Sequence, residues 1–80
     1  MNADTVRTWL KQQPFQPFEF VMSNGERYRI DHPENAMLLQ NRVVVAFDSR
    51  PDRKLPDQTA FLSYLHIAAI EPAAEKKAAS

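Results

Sequence analysis

Apolar residues at Val6, Trp9 and Leu10 recur at helical spacing, then give way at Phe18 to alternation with polar residues. The first pattern predicts a short helix within the first fifteen residues. Asn2, Asp4 or Thr5 supplies an N-cap oxygen, and Asp4 also suits the positive end of the helix dipole. Val6, Trp9 and Leu10, with Gln13 following, form one stripe. Pro14 ends the element, because proline biases the residue before it away from helical geometry. A helix this short is unstable alone, so it must dock on something apolar, with Trp9 as the expected anchor.

After the bridge Phe15-Gln16-Pro17, alternation of period two sets Phe18, Phe20 and Met22 against Glu19, Val21 and Ser23. Asn24-Gly25 is a strong hairpin signal, and a second strand follows with Tyr28 and Ile30 against Arg27, Arg29 and Asp31. A two-residue loop would place Phe20 opposite Arg29 and mix the faces. A three-residue loop, Ser23-Asn24-Gly25, instead pairs Met22 with Glu26, Phe20 with Tyr28 and Phe18 with Ile30, so the apolar sets coincide. This predicts a type I turn with Gly25 as the left-handed residue of a bulge. The same register sets Arg29 across from Glu19 as a charge pair, and Arg27 across from Val21.

His32-Pro33-Glu34-Asn35 breaks the pattern, and Ala36 to Leu39 fits either a helical turn started by Pro33 or a short strand. Val43 to Phe47 is β-branched and reads as a strand buried on both faces or central in a sheet. Asp48 to Gln58, with two prolines and no period, is a surface loop. Thr59 to Tyr64 and Ile67 to Glu71 are strands, with a kink at Leu65-His66; either Phe61 or Leu62 serves the core, and if Phe61 faces inward, Leu62 faces outward. The domain spans 1–72, and 73–80 is a flexible tail. A helix followed by about five short antiparallel strands predicts a mainly β fold: a small five-stranded SH3-like or Sm-like barrel, capped by the N-terminal α-helix.

Composition narrows the function classes. Ten basic and ten acidic residues cancel, which argues against holding polyanions by bulk charge. With no cysteine there is no disulfide, thiolate nucleophile or thiolate metal site. The N-terminus has no apolar signal core and no run approaches a membrane span, so a cytoplasmic location without membrane contact is expected.

From Tyr64 to Pro72 the chain reads Tyr-Leu-His-Ile-Ala-Ala-Ile-Glu-Pro. With the N-terminal helix, the strand ending in Met22-Ser23-Asn24-Gly25, and the loop at Asp48 to Gln58, this segment resembles the Sm-like family, nearest its Hfq branch of bacterial RNA chaperones. The likeness spans residues 4–72, and outside the one segment it is of layout and not of letters. It implies a ring of six or seven copies whose fourth and fifth strands pair between neighbours, with uridine-rich RNA on the helix-bearing face. Carried over, Tyr64 and His66 match the family's tyrosine and histidine, and Gln12 or Gln13 stands near its helix glutamine. These four are the expected RNA-binding residues. Leu65 replaces the family's lysine and removes a phosphate-binding charge. Leu62, Tyr64, Leu65 and Ile67 are the expected subunit interface. A monomeric SH3-like barrel fits the same pattern.

No constellation supports catalysis, a cofactor or a metal. The histidines His32 and His66 lack ligand spacing and read as structural. Asp31, Glu34, Asp48, Asp52 and Asp57 sit in turns or the loop, and one glycine precludes a glycine-rich phosphate loop. Arg42, Arg50, Arg53 and Lys54 alternate with acids, which suits solubility better than phosphate contact. Most aromatics alternate with polar residues, as core packing requires; Tyr64 is the exception whose hydroxyl is expected to reach solvent or a partner. The expected function is therefore a non-catalytic Sm-like barrel that self-associates as a homo-oligomer and binds single-stranded RNA or a protein partner. The alternative is an SH3-like protein-interaction module or accessory subunit without nucleic-acid binding.

Overall fold

Phe18 and Phe20 have no exposed surface, while Glu19 between them and Val21 after them are half-buried, so the apolar face read from the alternation is the face turned inward. The computed structural model describes residues 1–48 and 55–73. Most of the Asp48 to Gln58 segment and of the 73–80 tail lies outside the described residues.

The order is α1 (Ala3–Leu10), β1 (Phe18–Met22), β2 (Arg27–Ile30), β3 (Ala36–Leu38), β4 (Arg42–Phe47), β5 (Gln58–Ser63) and β6 (Ile67–Pro72), with 3-10 turns at Pro33–Asn35 and Tyr64–His66. The strands form two antiparallel three-stranded sheets, ordered β2-β1-β6 and β3-β4-β5. The fold is thus mainly β with one N-terminal helix. The two sheets are not joined into a closed barrel among the described residues. His32 and the Pro33–Asn35 turn divide the chain between β2 and β3, and the Tyr64–His66 turn moves it from β5 back to β6. The ambiguous segment after His32 holds both expected forms in succession, a 3-10 turn with proline in its first turn and then β3.

The hairpin follows the three-residue-loop register: Phe18 pairs with Ile30, Glu19 with Arg29, Phe20 with Tyr28 and Val21 with Arg27. Gly25 N–H donates to the Met22 carbonyl at 2.9 Å, Met22 N–H donates to the Glu26 carbonyl at 2.8 Å, and Gly25 has φ +92°. That angle lies where a side chain clashes with its own backbone, so the chain's one glycine is where it is needed.

The helix is shorter than its pattern and stops at Leu10, four residues before Pro14. Asn2 is the cap: its Oδ1 accepts from Thr5 N–H at 2.9 Å. Val6, with no exposed surface, is the anchor, and the expected role of Trp9 is corrected to a half-buried one. The Trp9 ring lies 5.4 Å from that of Phe18, which also meets Phe15 at 5.9 Å and Phe20 at 5.3 Å. Such tilted and edge-on aromatic pairs contribute about 0.5–1.5 kcal/mol each beyond area burial. Phe18 therefore joins the helix, the bridge and β1 in one cluster. Ile30, Val43 and Val45, also without exposed surface, complete the core with Met22, Leu62, Tyr64 and Ile67.

Candidate interaction surface

In the β3-β4-β5 sheet, Met37 pairs with Val44 and Val44 pairs with Phe61. Three apolar side chains therefore stand in one row across all three strands. The partners of Val43 and Val45 in β5 are Leu62 and Ala60, so the odd positions of β4 and the even positions of β5 take the inner face. The row belongs to the outer face, where Met37 is 59% and Phe61 66% exposed. The Arg42 guanidinium lies 5.8 Å from the centre of the Phe61 ring, a cation–π distance.

Of the two directions open to β5, the structure takes the one with Phe61 out and Leu62, 3% exposed, in, which corrects the expected outward Leu62 of a subunit interface. The run Ala-Phe-Leu contains apolar residues of both parities, so alternation alone does not fix its phase. The buried Val43 and Val45 do, through their pairing with Leu62 and Ala60. Met37 and Phe61 carried no separate signal in the sequence, because each sits in an apolar run that reads as core.

β5 is also a sheet edge. Leu39 N–H donates to the Arg42 carbonyl and Tyr64 N–H to the Asn41 carbonyl, so hydrogen-bonded pairs between β4 and β5 fall on Leu62 and Ala60. By the same alternation the N–H and C=O groups of Thr59, Phe61 and Ser63 are directed off the sheet. β6 is one edge of the other sheet, with Pro72, which has no N–H, at its end.

The expected site residues fall into separate places. Gln12 Nε2 donates to the carbonyls of Trp9 and Gln16, and Gln12 lines a cleft with Pro17 and Pro72 at the Phe18 end of β1. Gln13 is exposed beside it in the chain. His66 is exposed at the opposite end of β1, where its carbonyl accepts from Ser23 N–H at 2.8 Å and Ser23 Oγ at 3.1 Å. Tyr64 is buried, and its hydroxyl turns back onto the chain: it donates to the Leu39 carbonyl at 2.8 Å, and burial pushes its pKa up despite that bond and nearby Arg7. The expected RNA-binding set is not brought into one cluster. Of the expected interface residues, Leu62, Tyr64 and Ile67 are core, leaving Leu65, 87% exposed on the 3-10 turn, as the free side chain.

A cleft of about 420 Å³ opens between the hairpin tip and β5, lined among others by Glu26, Tyr28, Phe61 and His66. The Tyr28 hydroxyl donates to Glu26 Oε1 at 3.1 Å, and its ring meets Phe47 edge-on at 5.5 Å. Burial first, then the Glu26 carboxylate, raises the Tyr28 pKa. Among the described residues no cluster of three or more His, Cys, Asp or Glu side chains is arranged to hold a metal, and no helix is long and apolar enough to cross a membrane. Comparison with known proteins finds no matching family model, no similar curated protein and no similar solved structure.

Proposed function

We propose that the chain is a non-catalytic interaction module of Sm-like, SH3-like-barrel kin that self-associates by pairing the β5 edge of one copy with the β6 edge of the next. One observation carries this reading: the last two strands, which the family resemblance assigns to contacts between copies, are each an edge of a different sheet. Edges left open in this way template further strands unless they are covered. Because the two edges differ, the contact is head-to-tail, and closure yields a ring. The contact is made by backbone groups, so the burial of Leu62, Tyr64 and Ile67 does not oppose it. Light scattering on the purified chain tests the reading: a mass of six or seven chains is expected, and a monomer at micromolar concentration overturns it.

The outer row Met37-Val44-Phe61 favours a protein as the further partner, since exposed apolar residues in contiguous rows mark protein interfaces. RNA is the second reading, favoured by Arg42 over exposed Phe61, an aromatic beside a cation that suits base stacking. Titration with uridine-rich and adenine-rich oligonucleotides at low and physiological salt separates them. Salt-dependent binding lost in Phe61→Ala establishes RNA; no binding at micromolar protein leaves the protein partner.

A further inference from the structure

We propose that the cleft between the hairpin tip and β5 binds an alkylammonium group. Its floor is apolar, made by Met22 and Leu62, which are 8% and 3% exposed. Tyr28 and Phe61 bring two aromatic rings to its lining; the Phe61 ring already has the Arg42 guanidinium 5.8 Å from its centre and supplies apolar contact, while the Tyr28 ring attracts an ammonium ion through its quadrupole. Among the described residues, Glu26 is the one carboxylate lining the cleft, and no lysine or arginine lines it. Its carboxylate is oriented by the Tyr28 hydroxyl at 3.1 Å, and Tyr28 is in turn fixed against Phe47. The His66 imidazole, also lining the cleft, has no hydrogen-bond partner among the described residues and offers a second acceptor when neutral.

The chemistry selects among ligands. A carboxylate ligand meets Glu26 with like charge. A neutral apolar ligand desolvates the Glu26 carboxylate without replacing its hydration. An ammonium head on a short methylene chain satisfies both the carboxylate and the floor, and a cleft of about 420 Å³ accommodates it. A free amine and a lysine side chain present the same group, and the site reads that shared chemistry.

The test uses the full chain, 15N-labelled, at pH 8. n-Butylammonium, n-butanol and butyrate are titrated separately while amide shifts are followed. n-Butylammonium is expected to move the signals of Glu26, Tyr28 and Phe61 with a millimolar dissociation constant. Glu26→Gln is expected to weaken it at least tenfold, and Phe61→Ser several-fold; both positions are exposed, and a dispersed spectrum checks each variant's fold. A capped Ala-Lys-Ala peptide forms a further arm: tighter binding than n-butylammonium assigns the site to a lysine of a partner, and equal binding assigns it to a free amine. The proposal is overturned if n-butanol or butyrate moves the same signals as strongly, or if folded Glu26→Gln binds n-butylammonium as well as the parent.

Discussion

Arg27 and Glu19 meet diagonally across the β1–β2 pair, 2.9 Å apart, although the residue in register with Glu19 is Arg29. Arg29 turns instead to Asp31 at 2.7 Å. Arg27 also reaches Glu71 of β6 at 3.0 Å, so one guanidinium spans the three strands of its sheet. Glu19 and Glu71 stand directly opposite each other, a like-charge pair that would repel without it. The two carboxylates, Glu71 foremost, make the Arg27 proton harder to remove than an ordinary arginine's.

Replacing Arg27 with Met is therefore expected to lower the urea midpoint more than replacing Arg29 with Met. The excess comes from released repulsion between Glu19 and Glu71, so it shrinks in 1 M salt, where the screening length falls to about 3 Å. Equal losses for the two variants at low salt would contradict this arrangement.

At the hairpin tip, Gly25→Ala meets no atom within 4 Å of the added Cβ, so its whole cost is conformational. Holding a side chain at φ +92° is expected to cost about 1–2 kcal/mol, and Gly25→Asn less, because asparagine tolerates left-handed geometry. Denaturant titration of the three proteins checks the order. Equal stability of Ala and Gly would mean the turn has rearranged.

That turn was legible from residues 18–30 alone, since only one loop length brings the apolar faces of the two strands together and the only glycine falls at its end. The charge pairing was not legible, because register places Cα atoms while long side chains reach diagonal neighbours. The helix boundary was misread for a similar reason: Pro14 sets a limit, but docking of Val6 and the chain's route to Phe18 end the helix earlier. Of the candidate surface, β5 and β6 were recognised as strands, but their status as edges depends on which strands they pair with: β6 on distant β1, Val21 with Ala69 among the pairs, and β5 on β4 alone. The direction of Phe61 depended on β4 in the same way.

Val6 fixes the helix to the sheets, so Val6→Ala is expected to cost about 2–3 kcal/mol, from two lost buried carbons plus the cavity left behind. An eight-residue helix does not persist without docking. Hydrogen exchange should therefore show the amides of Ala3–Leu10 losing protection before those of β4. Uniform loss across the chain would show that the helix is not a separable unit.

Tyr64 and Tyr28 both hold their phenolic protons more tightly in the fold than in the unfolded chain, chiefly through burial. A raised folded-state pKa means stability is full below the unfolded tyrosine value of about 10 and falls as pH rises through the folded value. Alkaline destabilisation above about pH 10 is expected, and Tyr64→Phe should flatten that fall. At neutral pH the same variant loses the bond to the Leu39 carbonyl, a cost of about 0.5–1.5 kcal/mol. Urea midpoints at pH 7, 9 and 11 test both; an unchanged slope in Tyr64→Phe would exclude its role.

Ser63 offers a way to close the β5 edge without disturbing the chain's own ladder. Its φ is −66° and ψ 134°, which proline adopts without strain, and its N–H is directed off the sheet. Ser63→Pro keeps the pairs of β5 with β4 and loses one outward donor, together with the Ser63 Oγ acceptor for Leu65 N–H. The expected outcome is a folded monomer where the parent is an assembly. Ser63→Ala, which loses the hydroxyl alone, should keep the parent's mass. If Ser63→Pro assembles as fully as the parent, copies are not joined through β5, and the contact must be sought on the Met37-Val44-Phe61 face instead.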